Sequence, residues 1–96
     1  MKVFVRDSAY ADLEQIHAWI AADKPHAARS VIQRIGASIE RLGQFPHLGH
    51  AGTVAGTLEW IVPHLPYIIV YVLDDAIDEL RVIAVFHAAR DRARDL

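Results

Sequence analysis

Ninety-six residues without cysteine, 53% hydrophobic and 23% charged, make one domain over residues 1–96 with a single apolar core and no room for a second. The lack of cysteine excludes a disulfide framework, a thiol nucleophile, thiol redox chemistry and a Cys-type zinc site. A formal charge of −2 argues against a general nucleic-acid binder, and it is unevenly spread: −2 over residues 1–23, +3 over 24–41, −5 over 42–79 and +2 over 80–96.

The chain opens Met1-Lys2-Val3-Phe4-Val5-Arg6-Asp7, where three apolar residues stand between charges, far short of the apolar core of a secretion signal. A cytoplasmic location is therefore expected. Residues 2–6 alternate polar and apolar with β-branched and aromatic side chains and predict a short strand. Asp7 or Ser8 then offers a cap to a helix running to about Ala22, in which Ala9, Leu13, Ile16 and Ile20 form the core-facing stripe. Tyr10, His17 and Trp19 lie off its centre, and Trp19 is open to either a partner contact or a peripheral core role. Pro25 restarts the pattern at the first turn of a second helix, with Ala28, Val31, Ile32, Ile35, Ile39 and Leu42 buried and Gly43 followed by Pro46 as its stop. The short link predicts an antiparallel helical hairpin.

Residues 44–56 hold Pro46, Gly49, Gly52 and Gly56 and show neither period, so they read as one long loop. Three strands are expected after it: Leu58–Val62 with Trp60 in the core, Tyr67–Leu73, and about Asp78–His87, joined as an antiparallel meander. On the last, strict alternation places Leu80, Val82, Ala84 and Phe86 on one face and Arg81, Ile83, Val85 and His87 on the other. The longest uncharged apolar stretch, Val82–Ala89, is interrupted by His87, whereas a membrane-spanning helix needs about 20 residues. The expected fold is α+β in the order β-α-α-β-β-β, a two-helix hairpin on a small, mainly antiparallel sheet.

Most catalytic patterns are missing. His47-x-x-His50 has no Cys, Asp or Glu near it between Gly43 and Leu58 to complete a zinc site, and no metal or cofactor is expected. Gly49, Gly52 and Gly56 lack the flanking strand, helix and Lys-Ser/Thr pair of a phosphate cradle. Ser8, Ser30 and Ser38 fall in or beside helices, with no G-x-S-x-G turn. Asp74, Asp75, Asp78 and Glu79 crowd one hairpin, where solvent keeps carboxylates alike rather than splitting them into an acid and a base. The one cluster of cationic and titratable groups is Arg81 and His87 on a shared strand face, continued by Arg90, Arg92 and Arg94.

The element order resembles the ParE/RelE family of bacterial toxins from type II toxin-antitoxin systems. The likeness rests on four segments: Ala11-Asp12-Leu13-Glu14-Gln15-Ile16, Phe45-Pro46-His47-Leu48-Gly49, Pro66-Tyr67-Ile68-Ile69-Val70-Tyr71, and the ending Leu80 to Asp91, which reads L-R-V-I-A-V-F-H-A-A-R-D. The resemblance implies a cytoplasmic poison held inactive in a hetero-oligomer with a co-expressed antitoxin, whose flexible part wraps the toxin.

RelE-like members are ribosome-dependent mRNA endonucleases in which an Arg commonly follows the first Tyr of Y-x-x-V-Y and a Tyr closes the chain. Here those features give way to Ile68 and to Arg94-Asp95-Leu96. Should this branch apply, His87 is the catalytic candidate. ParE-like members, which the C-terminal segment resembles most closely, poison DNA gyrase with no chemistry of their own, although many carry an Arg in the strand where this chain has Leu58-Glu59. A non-toxic antitoxin-binding relative is the third reading. The ParE-like reading implies target contacts through Arg81, His87, Arg90, Arg92 and Arg94. It also implies an antitoxin groove along the first helix at Tyr10, Leu13, His17, Trp19 and Ile20, and a sheet edge open to an added antitoxin strand.

Overall fold

The computed structural model describes residues 1–91. β1 (Lys2–Val5) leads directly into α1 (Asp7–Ala21), and α2 (Pro25–Gln44) follows antiparallel to it. Neither Asp7 nor Ser8 caps α1: the cap position is Arg6, without a side-chain bond, and the Ser8 hydroxyl donates instead to Ile83 O at 2.8 Å. Pro25 sits in the first turn of α2 as its sequence position predicts.

α2 runs one residue beyond Gly43, which serves packing rather than termination. A methyl there would meet Val3 Cγ2 at 2.6 Å, so the missing side chain lets the helix close on β1. The terminal amine of Met1 donates to Gly43 O across the same contact. Phe45 leaves helical geometry and Pro46 prevents its resumption.

β2 (His50–Ala51), β3 (Leu58–Ile61), β4 (Tyr67–Asp74) and β5 (Glu79–His87) complete the chain. β2 corrects the reading of residues 44–56 as uninterrupted loop: His50 and Ala51 pair antiparallel with Glu59 and Leu58. A two-residue strand carries too little pattern to be seen in sequence. The sheet order is β1-β5-β4-β3-β2, with β1 parallel to β5 and every other pair antiparallel.

Both helices pack on one face. Ile16 from α1, Ile35 and Leu42 from α2, and Ile69, Tyr71, Leu80, Val82 and Val85 from the sheet form a continuous core. Each fully buried aliphatic side chain there contributes about 1.5–3 kcal/mol. Trp60 is half-buried against the core's margin. No helix among the described residues is long and apolar enough to cross a membrane.

The alternation expected in β5 fails midway. Val70 pairs with Ala84 and Tyr71 with Val82, which leaves Ile83 as an extra, unpaired residue, a β-bulge. Leu80 and Val82 point into the core below the bulge and Val85 does so above it. Arg81 and His87 therefore do not share a face, contrary to the strict period of two.

Candidate functional site

β1 covers only the first half of β5. Its last pair is Val5 with Val82, and Arg6 N donates to Val82 O before the chain turns into α1. From Ile83 to His87 the outer edge of β5 has a helix beside it instead of a strand. Side chains supply the missing hydrogen bonds: Asp12 Oδ2 accepts from Val85 N and Asp91 Oδ2 from His87 N, both at 2.9 Å, beside the Ser8 bond to Ile83 O.

Between α1 and this edge lies a groove of about 500 Å³. Asp12, Gln15, Ile16 and Trp19 form its helical wall, at spacings that keep them on one flank of α1. Val85 and Phe86 belong to the opposite wall, and Arg90 and Asp91 close the end. The Arg90 guanidinium lies over the Trp19 ring, 4.7 Å from its centroid, with Nε 3.4 Å from Asp91 Oδ1. Burial is the main cause that lifts the Asp12 carboxyl above its ordinary range; the Val85 N–H opposes the rise and the negative charge of Asp91 adds to it.

A carboxyl raised on folding favours the folded state at low pH and loses that advantage as pH rises through its folded pKa. Asp12→Asn should remove this dependence while its amide oxygen still accepts from Val85, leaving stability at pH 7 unchanged or higher. Asp12→Ala should cost about 1–3 kcal/mol, because Val85 is buried and its N–H loses its partner. Urea unfolding of both variants at pH 4 and 7 checks the pair, and equal destabilisation by Asn and Ala at pH 7 would contradict the hydrogen-bonding role.

His87 stands edge-on to Tyr67, with ring centroids 5.5 Å apart. Its Nδ1 accepts from Ala89 N at 3.2 Å and Arg90 N at 3.0 Å, so the neutral ring carries its hydrogen on Nε2. Tyr67 and Tyr71 are both buried, and burial lifts both hydroxyls above the ordinary phenol range. The Tyr71 hydroxyl donates to Pro46 O at 2.7 Å and accepts from Gly49 N at 3.0 Å.

The remaining candidates separate. Arg81 is held at the acidic hairpin, with Nε 2.6 Å from Glu79 and Nη2 3.7 Å from Asp74, about 20 Å along the strand from His87. Arg92 and Arg94 lie outside the described residues. On α1, Leu13 and Ile20 are half-buried against the core, so they support the groove more than they line it. Tyr10 and Trp19 are 55% and 67% exposed, but nine positions turn an α-helix by about 180°, so they occupy opposite flanks. His17 shares Tyr10's side.

The histidines of the loop do not form a ligand set. His50 Nε2 is 4.0 Å from Glu59 Oε1, and no group of three or more metal-binding side chains occurs among the described residues. Glu59, 4% exposed, accepts from Thr53 N and ties down the β2–β3 loop. Sequence reading missed Asp12, Gln15 and Asp91. The available signal was the spacing Asp12, Gln15, Trp19, a second stripe beside the apolar one.

The family model described as ParE toxin of type II toxin-antitoxin system, parDE, matches residues 3–92. A protein of Sinorhizobium fredii (strain NBRC 101917 / NGR234) named "Putative toxin Y4kP" is 34% identical over 76 residues, 79% of this chain and 76% of the relative. Among solved structures, a chain of the chromosomal ParDE system from P. aeruginosa gives a TM-score of 0.82 at 19% identity, covering 91% of this chain and 95% of that one. A chain of the RelBE2 toxin-antitoxin complex from Mycobacterium tuberculosis gives 0.60 at 18% identity, with 90% and 88% covered. At these identities the structural likeness speaks for the fold alone.

Proposed function

This chain belongs to the ParE toxin family of type II toxin-antitoxin systems, and from that membership we propose that it arrests growth by binding DNA gyrase in the cytoplasm, with no chemistry of its own. A cognate antitoxin neutralises it in a hetero-oligomer by occupying the groove between α1 and β5. Trp19 is its main aromatic anchor, while Tyr10 and His17 meet any part of the antitoxin that crosses the helix to its other flank. The target surface is the C-terminal turn with Arg90 and the arginines that follow.

The observation that carries the binding reading over an endonuclease is the state of His87. A ring nitrogen already accepting two backbone N–H groups is not free to take a proton from a ribose hydroxyl, and the other nitrogen holds the ring hydrogen. The two core tyrosines are occupied or buried. Glu59, in the strand where many ParE-like relatives carry an Arg, faces its own loop and adds no cation to a target surface.

Expression alone should arrest growth, and co-expression with the antitoxin encoded beside it should restore growth. His87→Asn places an amide oxygen where Nδ1 accepts and removes the titratable ring. It should stay within a few-fold of full toxicity, measured as the inducer level that halves growth rate. A loss of about 10²-fold or more in a folded variant would instead assign proton transfer to His87.

A further inference from the structure

The groove is lined by α1, β5 and the turn after it, which leaves the outer side of α2 as a separate surface. Residues 24–41 carry +3 in a chain of −2, and Lys24, Arg29, Arg34 and Arg41 are all exposed. Two of these cations are held in place by neutral groups. Arg34 Nη2 donates to Pro63 O in the β3–β4 turn at 2.9 Å, and the Arg41 guanidinium lies over the Phe45 ring, 5.4 Å from its centroid. Seven positions make nearly two helical turns, so both arginines stand on one stripe about 10 Å apart, and Phe45 continues it four positions on as the chain leaves the helix. Phe45 is 52% exposed and Leu48 38%, and the turn that joins them is closed by Leu48 N donating to Phe45 O at 3.2 Å. Two fixed cations thus adjoin an open apolar pair.

We propose that Arg34, Arg41, Phe45 and Leu48 form a second protein-binding surface, which receives an acidic polypeptide segment bearing an apolar residue. Carboxylates of the segment pair with the two guanidiniums, and its apolar residue packs on Phe45 and Leu48. A guanidinium held by a carbonyl or a ring keeps its charge and its remaining N–H groups for a carboxylate, and it has less side-chain freedom left to lose on binding. The cations set the sign of the partner, and the apolar pair sets its class. The backbone of a nucleic-acid duplex offers phosphates but nothing to cover Phe45 and Leu48, and the chain's net negative charge opposes a long polyanion more than a short acidic segment. The surface stands apart from the α1–β5 groove, and the proposal holds whichever target the toxin poisons.

The probe is the capped hexapeptide acetyl-EELLEE-amide, titrated into the isolated chain beside acetyl-QQLLQQ-amide, acetyl-EEGGEE-amide and a short DNA duplex. The readout is the backbone amide signals of Phe45 and Leu48. The first peptide should shift both saturably and leave the indole signal of Trp19 in place, and added salt should weaken its binding. Both control peptides should bind more weakly. Arg41→Gln and Phe45→Ala should each weaken binding about threefold or more, by loss of the ion pair and of the apolar contact respectively. Arg29→Gln removes the same charge from a position about a third of the way round the helix and should titrate like the unaltered chain. Folding of every variant is read from unchanged amide signals in β4 and β5. No saturable shift at millimolar peptide, equal shifts by the glutamine peptide, or a loss in Arg29→Gln as large as in Arg41→Gln would overturn the proposal. Tighter binding of the DNA duplex at the same two amides would also overturn it and assign the surface to nucleic acid.

Discussion

Cells expressing the Arg90→Glu chain without antitoxin should keep growing at an inducer level where the unaltered chain arrests them. Arg90 is held at the end of β5 by its own backbone N–H, which donates to His87 Nδ1, so the position survives a change of side chain. The side chain lies at the groove mouth, where it can reach an acidic protein surface or a phosphate as a two-pronged donor. Reversal replaces attraction by repulsion and adds a third carboxylate near Asp12 and Asp91. For a contact that is charge-assisted and partly desolvated, the loss is on the order of 10²-fold or more in target affinity. The variant should stay folded, with its amide exchange in β4 and β5 unchanged, so that lost toxicity reports on binding. Full toxicity from the folded variant would remove Arg90 from the target surface.

Gly49→Ala should give the largest loss of stability from a single methyl group. The added carbon would overlap the hydroxyl of Tyr71, a fully buried side chain, and would come within 2.8 Å of the backbone oxygen of Glu59. Neither neighbour can yield easily, since one is locked in the core and the other belongs to β3. Relief requires moving the Phe45–Gly49 segment off the end of the sheet, which breaks both hydrogen bonds of Tyr71. The expected cost is about 3 kcal/mol or more, a large part of the 5–15 kcal/mol typical of a domain. Tyr71→Phe removes the same two hydrogen bonds without the clash and should cost about 1–3 kcal/mol. Urea midpoints should follow the order unaltered chain, Tyr71→Phe, Gly49→Ala, and a Gly49→Ala chain as stable as the unaltered one would show that the loop does not pack as described.

The parts of this fold that were legible in sequence are those where one physical signal acts alone. Ala9, Leu13, Ile16 and Ile20 mark α1 because a half-buried helix needs that spacing, and Pro25 opens α2 because the first turn has no use for its N–H. The strands beyond Leu58 stand out through β-branched runs between turn residues. In β5 periodicity alone is not enough. Val82-Ile83-Ala84-Val85-Phe86 is apolar on both faces, so a one-residue slip leaves no trace in composition, and the bulge at Ile83 inverts the side on which His87 falls. The groove was hidden for a related reason: it depends on β1 ending beside Val82, at the middle of a strand more than seventy residues away. Asp12 reads as a solvated helical carboxylate until the topology brings Val85 N against it.

Purified chain added to gyrase with relaxed plasmid DNA tests the central claim most directly, when run beside translating ribosomes carrying a labelled mRNA. The expected result is inhibition of supercoiling that rises with toxin concentration and is reversed by the antitoxin, with the mRNA left intact. Ribosome-dependent cleavage of the mRNA with supercoiling unaffected would contradict it.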